Sequence, residues 1–170
     1  MRRIPPLLMV ALIVALPTLA ADQGAQTYDA LSALEALKAL EGDWVGTPAS
    51  GGTQSAVRYE VIAGGNTVVK TYAMGKANEM LTIYHMDGDE LVLTHYCALN
   101  NQPKMRFETS DTPGEIRFAF AGGTNFDPKV DAHAHEGWTR IAADGTIETE
   151  SIGYSDGKPT PARRTVLKRR

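Results

Sequence analysis

The segment MLTIYHMDGDELVLTHYC, residues 80–97, reads as two strands folded back on a tight turn. Residues 80–86 and 90–97 are rich in β-branched, aromatic and long apolar side chains. Between them, Asp87 and Gly88 both tolerate positive φ, the strongest short hairpin signal a sequence offers. A two-residue turn there predicts that Tyr84 pairs with Leu91 and Met80 with His95. Met80, Tyr84, Leu91, Leu93, His95 and Cys97 then share one face, apolar with a few polar tips. Such a face suits either a ligand-lined interior or a filled core.

The same grammar extends in both directions. Short alternating runs at 44–47, 55–62, 67–74, 105–109, 115–121, 138–142, 146–154 and 165–169 are separated by turn residues, including Gly64-Gly65-Asn66, Asp144-Gly145 and Asp156-Gly157. With the two central runs, that makes about ten strands joined by short links. The expected fold class is all-β, an antiparallel up-and-down β-barrel. One helix precedes it: Leu31, Leu34, Leu37 and Leu40 recur across 28–41, with Asp29 as N-cap and Gly42 as stop. The longest irregular stretch, 122–137, carries Asn125, Asp127, His133 and His135.

The chain begins with a targeting pattern. Arg2 and Arg3 precede an apolar stretch at 7–19, and small residues follow at Ala20 and Ala21. This is the order of a secretory signal peptide, residues 1–20, cleaved after Ala20, leaving one domain at 21–170 in the periplasm or secreted. The apolar run is shorter than the roughly 20 residues of a membrane span, so no stable span is expected after cleavage. No cysteine lies at the cleavage site to carry a lipid anchor. Losing Arg2 and Arg3 moves the formal charge from −3 to −5, which gives no electrostatic footprint for nucleic acid. The basic end, Arg163, Arg164, Lys168, Arg169 and Arg170, reads as a last strand with charged outward positions. Cys97 is the single cysteine, so no intrachain disulfide supports the core.

The short helix, Gly42-Asp43-Trp44 and the ladder of hairpins together resemble the lipocalin-like (calycin) group. In that group a Gly-x-Trp opens the first strand, and the Trp closes the barrel base beneath an Arg or Lys from near the last strand. The resemblance implies structural roles for Gly42, Trp44 and Arg169, with the Arg169 guanidinium over the Trp44 indole contributing roughly 0.5–2 kcal/mol. A narrower likeness, in Leu93-Thr94-His95-Tyr96-Cys97, Asn101-Gln102-Pro103 and Thr124-Asn125, is to a group of uncharacterised secreted bacterial proteins. It implies a family without implying an activity. Around the first strand the chain departs from nitrobindin-type haem barrels.

Three functions are compatible with these residues. The first is an exported binding protein holding a small apolar or amphipathic ligand inside the barrel. Its candidate contacts are Met80, Tyr84, His95, Tyr96, Met105 and Asn125, with Asn100, Asn101 and Gln102 a polar turn at the rim. The second is a metal- or haem-binding protein using His95, His133 and His135; it requires those side chains to converge. The third is an interaction protein with a filled core. His95 is expected to face inward, with His133 and His135 near the barrel opening. No cofactor is specified and the oligomeric state is open. Nucleophilic catalysis has no local signature: Cys97 lacks a helix N-terminus to activate it, and no P-loop or dinucleotide fingerprint occurs.

Overall fold

A computed structural model describes residues 27–170, so the signal peptide expected at 1–20 lies outside the described residues. One helix, α1 (Ala30–Lys38), leads into β1 (Gly42–Pro48), β2 (Ser55–Ile62), β3 (Thr67–Tyr72), β4 (Met80–Asp87), β5 (Glu90–Tyr96) and β6 (Gln102–Glu108). β7 (Glu115–Thr124), β8 (His133–Ile141), β9 (Ile147–Ser155), the two-residue β10 (Lys158–Pro159) and β11 (Arg163–Arg169) complete it. From β1 to β10 each strand pairs antiparallel with the next, while β11 skips β10 to pair with β9 and then with β1. The result is a closed up-and-down barrel of ten strands, with β10 a short extension at one mouth. Closure leaves no free edge along the barrel wall, which suits an all-β chain without disulfides. No helix among the described residues is long and apolar enough to cross a membrane.

Alternation decides which side chains fill the barrel. Trp44, Val57, Tyr59, Val68, Tyr84, Leu91, Phe118, Ile147 and Leu167 face inward and form one core with Leu34, Leu37 and Leu40. These residues cluster toward the end where β1 begins and β11 finishes, and α1 packs across that end. Asp29 caps the helix reciprocally, accepting from Ser32 N at 2.8 Å while Ser32 Oγ accepts from Asp29 N at 3.0 Å. Each fully buried leucine stabilises the plug by about 1.5–3 kcal/mol. Leu31, expected on the leucine stripe, is 61% exposed. Steps of three residues fall short of the 3.6-residue turn, so the stripe rotates away and Ala33 and Ala36 take the buried positions instead.

The base is locked by contacts between β1 and β11. Trp44 pairs with Arg169, whose guanidinium carbon lies 4.6 Å from the indole centroid. Arg169 Nη1 also donates to Glu41 O at 3.0 Å, and Trp44 Nε1 donates to Leu40 O at 2.8 Å. Gly42 is required here by its φ of +127°, and a Cβ would also displace the end of the Arg169 side chain, meeting Nη1 at 2.8 Å.

Two sequence expectations shift. The β4–β5 turn consists of Gly88-Asp89, so Asp87 pairs with Glu90, Tyr84 with Leu93 and Thr82 with His95. The register therefore moves by two residues from the expected Tyr84–Leu91 and Met80–His95 pairs. An even shift preserves the faces, so the inward set is unaffected. The positive φ, 60°, falls on Gly88, the first turn position. The irregular stretch expected at 122–137 shrinks to 125–132, because β7 runs through Gly122 and Gly123 and β8 begins at His133.

Candidate functional site

The end opposite α1 is open. A cavity of about 830 Å³ runs from this mouth into the barrel. Tyr72, Met80, Leu93, Met105 and Phe118 give it apolar walls, and Pro48, Leu99, Ala132, Tyr154 and Ala162 lie around its mouth. The lumen is filled only where α1 closes it.

Polar side chains occupy defined rows inside. On one wall the strand register sets Tyr59 beside Lys70, Lys70 beside Thr82, and Thr82 beside His95, across β2 to β5. Thr82 Oγ1 and His95 Nδ1 are 2.9 Å apart. Burial, reinforced by the Lys70 charge, pushes the His95 imidazole down to about 4, so it is neutral at physiological pH. Burial pushes the Tyr84 phenol up to about 12. On the facing wall Thr139, Thr149 and Thr165 are register neighbours across β8, β9 and β11 and also line the cavity. The chamber is thus mostly apolar, with hydroxyls, a neutral imidazole and an ammonium.

Of the residues singled out from sequence, Met80, Tyr84, His95 and Met105 line this cavity. Tyr96 does not: it alternates with His95 and is 45% exposed on the outer surface. Asn101, Gln102 and Asn125 are at the open end but are engaged with the protein. Asn101 Nδ2 donates to Ala132 O at 2.8 Å, Gln102 Oε1 accepts from Thr124 Oγ1 at 2.8 Å, and Asn125 Nδ2 donates to Asn100 O. These bonds tie the β5–β6 turn to the β7–β8 connection and shape the rim.

The three histidines do not assemble. Among the described residues no group of three or more His, Cys, Asp or Glu side chains is placed to hold a metal ion. His133, 2% exposed, has Nδ1 at 2.8 Å from Asp131 O and Nε2 at 3.0 Å from His135 Nδ1. His135 is sandwiched between Phe120, at 4.5 Å, and Tyr154, at 3.7 Å between ring centroids. Burial and the neighbouring His133 lower the His135 imidazole from its usual range. The His-x-His sequence thus builds an aromatic stack at the mouth, apart from His95, which bonds Thr82 within the lumen. Cys97 lies at the cavity edge as a free thiol.

Sequence reasoning missed Lys70, Thr82 and the threonine row. A signal for Lys70 was present: it shares its alternate face on β3 with Val68 and Tyr72, an unusual place for a lysine unless the barrel is hollow there. The threonines carried no signal, because Thr is common on both faces of strands. No family model matches this chain, and no curated protein shows significant similarity to it.

Proposed function

We propose that this chain is an exported carrier of the lipocalin-like kind, holding one small amphipathic molecule inside its barrel. The observation that carries the reading is the open chamber of about 830 Å³, which lies within the range of roughly 300–1,000 Å³ for small-molecule sites. Its wall chemistry supports the same conclusion: aromatic and thioether surfaces for an apolar body, with a few fixed polar groups for orientation. Export rests on the signal-peptide pattern at 1–20. The closed, helix-plugged base leaves the opposite mouth as the route for the ligand.

A polarity-sensitive dye such as anilinonaphthalene sulfonate tests the carrier role. Saturable uptake near one equivalent is expected for the wild type. Leu93 is 5% exposed and lines the chamber, so Leu93→Trp should fill part of it and reduce dye affinity at least about tenfold while circular dichroism stays native. Non-saturating fluorescence, or equal uptake by a folded Leu93→Trp variant, would place the dye on the surface and remove the basis for a carrier.

A further inference from the structure

Five charged residues contribute to the chamber wall: Lys70, Glu136, Glu150, Arg163 and Arg164. Four of them do not place their charge in its interior. Arg164 and Glu150 pair with each other on the outer surface, where Glu150 also accepts from Trp138 Nε1. Glu136 lies on the same face of β8 as Trp138 and Arg140, which stack together on the outer surface. Arg163 is exposed at the mouth.

Lys70 remains, on the inward face of β3 between Val68 and Tyr72. Among the described residues its ammonium has no ion pair and no hydrogen bond; its one specific contact is the face of Tyr59, 5.5 Å from the ring centroid. Beside it, the buried Tyr59 hydroxyl also lacks a hydrogen-bond partner. The orphaned hydroxyl is costly unless a partner completes it, and the unpaired ammonium beside it offers that partner a charge. All inward neighbours in the row, Tyr59, Thr82 and His95, are uncharged at neutral pH, so no side chain there supplies a counter-ion.

We propose that the ligand is an amphiphile with an anionic head, a carboxylate in the simplest case, which lies on Lys70 while its apolar body runs along Tyr72, Met80, Leu93, Met105 and Phe118. The proposal rests on the carrier reading and names the chemical class of its cargo. The head group contributes selectivity and the walls contribute affinity for the chain. Lysine suits the role as a compact charge on a flexible stem, able to follow head groups of differing geometry.

The test is a matched pair, dodecanoate against 1-dodecanol, titrated calorimetrically into wild type, Lys70→Met and Lys70→Arg. Wild type should favour the carboxylate by about tenfold or more, the scale of one charge-assisted hydrogen bond. Lys70→Met, of similar shape without charge, should lose that preference while keeping its affinity for the alcohol. Lys70→Arg should retain most of it, which separates charge from packing. Equal binding of both compounds to wild type overturns the anionic head group, and a preference that survives in Lys70→Met overturns its placement on Lys70; either result leaves the carrier standing. If neither compound binds wild type, the carrier reading fails and the head-group proposal fails with it.

Discussion

At the scale of single residues, His95 makes the interior sensitive to acid. Its imidazole titrates at about 4 in the folded chain because of burial and then Lys70, against an ordinary value near 6.5. As pH falls below about 6.5, the unfolded chain takes up a proton there that the folded chain refuses. Stability is therefore fully present above that value and declines until the folded group protonates near 4, by about 3 kcal/mol at most. His135, also lowered, acts in the same direction. Asp43, held low by its hydrogen bond to Arg58, titrates below this window. Comparing urea midpoints at about pH 7 and about pH 5 checks this, and the gap between them should narrow in His95→Gln. An unchanged gap would assign the acid sensitivity elsewhere. The inward position of His95 was legible from strand alternation alone. Its partner was not, because a register error of two residues sets His95 opposite Met80 instead of Thr82. The position of Tyr96 was legible too, since it must point away from its neighbour His95.

At the scale of elements, short-range rules worked where local chemistry is decisive. Asp156-Gly157 has φ of 52° and 67°, the two positive values of a type I′ turn, and it joins β9 to β10 as its sequence indicates. Asp29 likewise announces α1, and its side chain and that of Ser32 satisfy each other's backbone N–H groups. Asp29→Ala should cost about 1 kcal/mol, read as a lower urea midpoint with an unchanged slope. A neutral substitution would show that packing against the barrel end fixes the helix without its cap. The first half of β8 was invisible for a different reason. His133, Ala134, His135, Glu136 and Gly137 have poor strand propensity, and a register irregularity falls between Ala134 and Glu136. What holds this segment is tertiary: the aromatic stack around His135, and Gly137, where a Cβ would come within 2.5 Å of Glu150 O. Local sequence carries no trace of a neighbouring strand's carbonyl.

For the whole molecule, hairpins between successive strands lead to a meander, and ten antiparallel strands close with the last beside the first. That much follows from turn spacing. Whether the lumen is hollow does not, since the same inward faces would serve a packed interior; it depends on how far α1 and the large core side chains reach along the axis. Here they fill only the base, leaving about 830 Å³ above. Lys70 in that space was the one overlooked sequence clue, an inward lysine that a solid apolar core would exclude. The metal alternative depended on convergence in space, and among the described residues no three side chains able to ligate a metal come together. The most direct test of a ligand-holding barrel is native mass spectrometry of residues 21–170 purified from an exporting bacterial host. The expected result is a one-to-one complex whose added mass is lost on denaturation, and which re-forms when dodecanoate is supplied to the refolded, emptied protein. A bare polypeptide mass both as purified and with dodecanoate present would contradict it.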